Sequence, residues 1–287
     1  MTISGFSFVR NGILFDYPFI ESIRSILPIC DEFVIAVGKS EDDTLETIRA
    51  LHDPRIKIIE TIWDEHLRTG GKILAQQTDL ALSHTSGDWA VYLQGDEVVH
   101  EHDLPLIKES MERYLTDPMV EGLLFSFVHF YGSYRYVGNS RRWYRREIRI
   151  VRNGIGVHSW GDAQGFRIGS RKMSVKLIDA SVYHYGWVKP PTIQQRKQKS
   201  FNRLWHSDAW VDEHIKQSDE YDYSTGGRLT EFTGTHPAVM KQRINTQNWE
   251  YSYDPLKAGE PLKERVLNWY ERATGIRVAE YKNYVLI

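Results

Sequence analysis

Short apolar runs alternate with helical spacing through the first half of the chain. GFSFV (5–9), FVIAV (33–37), IKII (56–59) and WAVYL (89–93) are β-rich, bounded by polar residues, and read as strands. Between the first two, Phe19, Ile20, Ile23, Ile26 and Leu27 recur on one helical face, with Pro18 placed for a first helical turn. Leu45, Ile48 and Leu51 follow the second run, and Ile73, Leu74, Gln77, Leu80 and Ala81 precede the fourth. Strand and helix in repeated alternation predict an α/β fold with a mostly parallel central sheet flanked by helices.

Beyond Glu97 a further helix is expected from Leu104, Ile107, Met111 and Leu115, leading into GLLFSFVHF (122–130). Strand-like pieces then dominate: EIRIV, IGVHSW, SVKLI and SVYHYGW. Pro190 and Pro191 interrupt the chain, and the charged, Trp-rich stretches after them read as helices ending in PLKERVLNWYERATG. The expected organisation is an α/β domain over 1–189 and a mainly helical extension over 190–287 that serves acceptor, dimer or surface contacts.

Composition narrows the partners. A net charge of −2 gives the 287-residue chain no global field for nucleic acid or an anionic membrane. The single cysteine, Cys30, excludes an intramolecular disulfide and a Cys-based zinc cluster, reads as core filler, and points to a reducing compartment. No apolar run approaches the ~20 residues of a membrane span, and the N-terminus lacks a signal-like stretch. The expectation is a cytoplasmic protein, with peripheral contact to the inner face of a membrane left open. Nine Trp and sixteen Tyr suit surfaces that stack on rings or sugars.

Ligands of open parallel sheets bind beyond the carboxyl ends of the strands, so the strand exits are the places to inspect. Here they are Arg10 and Asn11, GKSEDDT (38–44) and QGDE (94–97). Neither Gly-Lys pair makes a phosphate loop. Phe33 stands where the first glycine belongs for Gly38-Lys39, and Ile73 follows Gly71-Lys72 in place of Ser or Thr. No G-x-G-x-x-G follows the first strand. Acids at an exit suit Mg²⁺ or Mn²⁺, which keeps open positions for phosphate oxygens. Acids that merely open a helix are an equal reading of Asp96 and Glu97 taken alone.

In order along the chain, several segments resemble those of family 2 glycosyltransferases, which have the GT-A fold. SGDWAVYLQGDE is similar to their GDW-x-L-x-L-D-x-D-E segment, FSFVRN to their first strand, and DEFVIAVGKSEDDT to their D-x-G-S-x-D-G-T segment. ILAQQTDLAL falls where an Ala-Arg-Asn helix is usual, IRIVRNGIGV resembles an R-L-F-R-N strand, and YHYGW resembles a His-bearing strand that closes the site. The resemblance spans roughly residues 3–188.

It implies a metal-dependent, inverting transfer from a nucleoside-diphosphate sugar to a hydroxyl acceptor, a glycan or glycoconjugate, with Mn²⁺ or Mg²⁺ bridging the diphosphate. On this resemblance Asp96 and His184 are metal ligands, and Asp42 seats the base or ribose. Val9, Arg10, Asn11, Gly38, Lys39, Lys72, Gln76, Gln94 and Gly95 complete the expected donor site. Inversion needs a base for the acceptor hydroxyl, and Asp162 in HSWGDAQGF is the candidate. The run RRWYRREIRIVR brings Arg141, Arg142, Arg145, Arg146, Arg149 and Arg152, some of which would share a face for a diphosphate or anionic acceptor. His100 and His102 read as a solvated helix start.

The chain departs from the family pattern where Gln94 replaces the first acid of D-x-D, Val37 the first acid of the nucleotide segment, and Gln76-Gln77 the Arg-Asn pair. A non-catalytic nucleotide-sugar-binding protein of this fold is the alternative these departures keep open. A sugar-phosphate nucleotidyltransferase is disfavoured, because VRNGILFDYP lacks the Gly-rich basic loop expected after strand one.

Overall fold

The computed structural model describes residues 1–64, 66–67, 69–215, 217–254, 259 and 262–287. The first half runs β1 (Ile3–Val9), α1 (Phe19–Ile26), β2 (Glu32–Gly38), α2 (Thr44–Arg49), β3 (Ile56–Thr61), α3 (Lys72–Ser83), β4 (Trp89–Tyr92), β5 (Glu97–Val99) and α4 (Leu104–Tyr114). A strand-rich stretch follows: β6 (Gly122–Tyr131), β7 (Ser133–Gly138), β8 (Arg146–Arg152), β9 (Val157–Trp160), β10 (Gly165–Ile168) and β11 (Arg171–Trp187). The remainder holds α5 (Pro191–Asn202), α6 (Asp208–His214), β12 (Leu229–Glu231), α7 (Lys241–Asn245), α8 (Leu262–Thr274) and β13 (Tyr284–Leu286).

The strands form one sheet in the order β3-β2-β1-β4-β8-β6-β11-β10-β9. β3, β2, β1 and β4 are mutually parallel, β8 runs against both β4 and β6, and β6 is parallel to β11. The expected α/β architecture is therefore present, with the sheet parallel over β3-β2-β1-β4 and mixed beyond β4. Its cause is the period-2 placement of large apolar side chains on two covered faces. Phe33, Ile35, Val37, Trp89 and Val91 pack on one side with Ile23 and Ile26 of α1 and Met111 of α4. Val34, Ala36, Ala90 and Tyr92 pack on the other with Ala81 and Leu82 of α3. The alanines on that second face bring α3 close to the sheet. Cys30 is buried in the first cluster, as core filler.

Two expectations, the separate strand pieces and a solvated His100, are corrected. SVKLI and SVYHYGW are one strand, β11, whose register with β6 shifts between Leu177 and Ser181. Among the described residues after Pro190, α5 to α8 carry most of the regular structure, while β12 pairs with β7 and β13 runs parallel to β11, tying this part of the chain into the sheet. Pro261, the first residue of the expected last helix, lies outside the described residues. His100 is not solvated but 4% exposed, with its Nε2 on Thr235 Oγ1 and its Nδ1 accepting from the His102 amide. His100, Glu101 and His102 lie at metal-ligand spacing, yet both ring nitrogens of His100 are engaged. Among the described residues no helix is long and apolar enough to cross a membrane.

Candidate active site

The carboxyl ends of β1 and β4 open into a cavity of about 970 Å³, closed on its far side by the β9–β10 hairpin, by α5 and by the chain after α8. Val9, Arg10, Asn11, Gln94, Gly95, Asp96, Asp162 and His184 all line it, so eight of the residues expected from the sequence meet in one place. Gly38, Lys39, Asp42, Lys72 and Gln76 do not line it. Gly38 packs against the Trp63 indole, and Lys39, Lys72 and Gln76 are exposed. The inward residue of the Gln76-Gln77 pair is Gln77, which accepts from the Thr61 hydroxyl at 2.7 Å. Asp42 accepts from the Leu14 amide at 2.6 Å and from Thr44, joining the loop after β1 to the start of α2.

Asp96 and Glu97, adjacent in sequence, have opposite fates. β5 pairs antiparallel with β11, setting Glu97 opposite His184, and the Tyr185 amide donates to the Asp96 carbonyl at 2.8 Å. Asp96 therefore faces His184, with Oδ2 3.8 Å from Nε2. Glu97 turns away and takes Arg149 Nε and Nη2, each at 2.7 Å, in the interior. Arg149 is thus unavailable to a ligand. Arg152 is as well, because its guanidinium caps the carbonyls of Tyr114, Leu115, Asp117 and Val120. Arg141, Arg142, Arg145 and Arg146 do line the cavity. Arg141 and Arg145 are held there by Glu271, and Arg145 also by Glu280.

The imidazole of His184 has a defined tautomer. His129 Nε2–H donates to the Tyr144 carbonyl (2.7 Å), which leaves His129 Nδ1 as acceptor for His184 Nδ1–H (3.1 Å). His184 Nε2 then presents its lone pair to Asp96 and the cavity. Burial holds both rings below the usual imidazole range, His129 further than His184, so the neutral form required here is the one favoured. Two acceptor atoms facing one another ask for a cation between them.

The surroundings fit a divalent ion. Ligand atoms about 2.1 Å from one ion are separated by roughly 3–4 Å, and 3.8 Å lies within that span. A Cβ on Gly186 would stand 2.6 Å from both Asp96 Oδ2 and His184 Nε2, so the glycine keeps open the space the ion would use. Burial raises the Asp96 carboxyl, but neighbouring positive charge, that of Lys197 first, outweighs it and holds it at about 2. Lys197, from α5, lies 3.2 Å from Asp96 Oδ2 and donates to the Gly186 carbonyl at 2.9 Å.

Asp162 occupies the tip of the β9–β10 hairpin between Gly161 (φ 68°) and Ala163 (φ 70°). Three side chains fix that tip. Gln94 Nε2 donates to the Ala163 carbonyl (3.1 Å), Arg149 Nη1 to the Gln164 carbonyl (2.9 Å), and Gln164 Nε2 to Glu147 Oε1 (2.9 Å). Gln94 thus connects the β4 exit to the candidate base. Burial raises the Asp162 carboxyl and pushes Glu147 up to about 8, with Glu97 and Asp162 adding to the effect on Glu147.

Sequence reasoning missed Lys197, Glu147 and Trp63. Trp63 lines the cavity with the Arg10 guanidinium 5.4 Å from its ring centroid. Only the surplus of aromatic residues hinted at it.

No protein-family model matches this chain, and no curated protein does. Among solved structures it is similar to TarS of S. aureus at 13% identity and TM-score 0.40, covering 74% of this chain and 42% of that one. It is similar to TarS 1–349 in complex with UDP-GlcNAc at 14% identity and TM-score 0.38, covering 74% of this chain and 70% of that one. It also resembles glucosyl-3-phosphoglycerate synthase from Mycobacterium tuberculosis in complex with Mg²⁺ and UDP, at 24% identity and TM-score 0.29 over 45% of this chain and 43% of that one. The match spans less than half the length of that TarS chain.

Proposed function

We propose that this chain is an inverting glycosyltransferase that takes a nucleoside-diphosphate sugar at the carboxyl ends of β1 and β4 and passes the sugar to a hydroxyl of a glycan or glycoconjugate. The observation that carries the reading is the acceptor pair Asp96 Oδ2 and His184 Nε2, set 3.8 Å apart in the same cavity as Asp162. The order of segments resembling family 2 glycosyltransferases, two of which carry these residues, agrees with it.

Asp96 and His184 would hold a Mn²⁺ or Mg²⁺ ion, which supplies Lewis-acid neutralisation of charge developing on the departing diphosphate. Lys197 and the cavity-facing arginines add fixed positive charge around the same group. Asp162 accepts the proton of the attacking hydroxyl, and its raised affinity for protons suits a base. Gln94 and Arg149 keep Asp162 in register with the β4 exit. Trp63 and Arg10 offer a flat wall for a nucleobase.

Calorimetry with the uridine, guanosine, adenosine and cytidine diphosphates, each with and without Mn²⁺, followed by hydrolysis of the matching donor sugars, tests the reading. Mn²⁺-dependent binding together with donor turnover is expected. Binding with no turnover of any donor would leave a nucleotide-sugar-binding protein.

A further inference from the structure

Lys197 stands where the expected cation needs room. Its ammonium lies 3.2 Å from Asp96 Oδ2, the oxygen that faces His184, and 2.9 Å from the Gly186 carbonyl. Its side chain is 12% exposed, so the ion pair is largely withdrawn from water. The ring of Tyr17 lies 4.7 Å from the ammonium and, 4.6 Å away, also carries the buried ammonium of Lys189. Lys189 has its own partner, the Asp16 carbonyl at 2.8 Å. Around Asp96, then, the chain has already placed a cation of its own.

A divalent ion sharing Asp96 Oδ2 with that ammonium would sit a few ångströms from a like charge in a poorly screened site. The ammonium must therefore leave Asp96 as the ion enters. It projects from α5, which follows the site in sequence and lines the cavity through Lys197, Gln198, Phe201 and Asn202, so the space open to it is the cavity itself. A diphosphate there supplies the negative charge that a displaced ammonium needs. Without a diphosphate, displacement strands Lys197; with one, it creates a new charge-assisted contact.

We propose that Lys197 is a resident counter-ion that makes cation and nucleotide binding interdependent, competing with the divalent ion for Asp96 in the empty protein and transferring to the diphosphate when both ligands are present. This rests on the proposed nucleotide site, but its first half concerns the ion alone. Because coupling between two ligands is reciprocal, the nucleotide strengthens the ion by the same factor that the ion strengthens the nucleotide.

Calorimetry with MnCl₂ alone on the wild type, Lys197→Met and Lys197→Arg tests the first half, with thermal melting used to confirm folding. Lys197→Met is expected to bind Mn²⁺ at least tenfold more tightly than wild type, about 1.4 kcal/mol, whereas Lys197→Arg, which keeps the charge, stays weak. Lys197→Gln serves if the methionine variant does not fold. Titrating a nucleoside diphosphate with and without Mn²⁺ tests the second half: the coupling factor is expected to fall at least tenfold in Lys197→Met. Unchanged or weaker Mn²⁺ binding by the neutral variants overturns the proposal, as does an unchanged coupling factor. A wild type that binds no nucleoside diphosphate even with Mn²⁺ overturns the proposed function and the transfer to the diphosphate with it, while the Mn²⁺-alone comparison still decides whether Lys197 competes for Asp96.

Discussion

Glu97 and Arg149 form a two-point ion pair in the interior, with side chains 0% and 1% exposed and both contacts at 2.7 Å. The pair lies directly under the candidate site, because Arg149 also holds the Gln164 carbonyl and Glu97 also accepts from the Gln94 amide. One acid of the neighbouring two thus builds the floor that the other stands on. Removing one member leaves the other charged, dry and without its counter-charge, which costs about 3–5 kcal/mol. Glu97→Gln and Arg149→Met are each expected to lower the chemical-denaturation midpoint accordingly. A change below about 1 kcal/mol in both would show that water reaches the pair.

Gly186 is required for room and not for backbone conformation, since its φ lies outside the left-handed region. An added methyl would project between Asp96 Oδ2 and His184 Nε2. Gly186→Ala is expected to weaken Mn²⁺ binding at least tenfold, with only a modest shift in melting temperature, because one methyl is a small intrusion into the fold as a whole. Calorimetry and thermal melting on the same preparation separate the two effects.

Glu147 gives stability a pH dependence. Burial, aided by Glu97 and Asp162, lifts its carboxyl to about 8, against an ordinary value of 4.5. Between those values the folded protein keeps a proton that the unfolded chain releases, so this group's contribution to stability falls as pH rises from about 4.5 to about 8. Glu147→Gln removes the cost while keeping a polar partner for Gln164. Denaturation at pH 8 is expected to show a gain on the order of 4 kcal/mol at most, and denaturation at pH 4 almost none. An equal gain at both pH values would trace the effect to packing instead.

The parts legible in sequence are those set by local pattern. β1 and β4 are apolar runs that stop at polar residues, so Asn11, Gln94 and Asp96 could be placed at their exits before any pairing was known. His184 is legible through the resemblance of its segment to a site-closing strand, and the structure sets it beside Asp96 through the β5–β11 pairing. Lys197 and Glu147 carry no such signal. Lys197 lies on α5, a helix whose polar residues look like any solvated face, and only the fold reveals that it reaches a residue 101 positions earlier. Asp42 illustrates the converse. Its place in a loop resembling a nucleotide segment drew a ligand role, while its carboxylate is engaged by the Leu14 amide and by Thr44.

Asp162 is held in the cavity between two residues of positive φ, by contacts from Gln94 and Arg149 to the hairpin tip, and burial raises its carboxyl above the usual aspartate range. A base must be ionised to act, so transfer is expected to rise with pH through that raised value and to flatten above it. Asp162→Ala and Asp162→Asn should bind donor nucleotide as wild type does, because the residue stands on the acceptor's side of the proposed reaction, and should lose about 10²–10⁴-fold in transfer rate. Gln94→Ala removes the hydrogen bond to Ala163 without touching the carboxylate, so a smaller loss of rate is expected with the same pH dependence. Rate against pH for the three variants, beside calorimetry on each, checks the set. Full turnover by Asp162→Ala would move the base elsewhere in the cavity, with Glu147, which also lines it, the next carboxyl to examine.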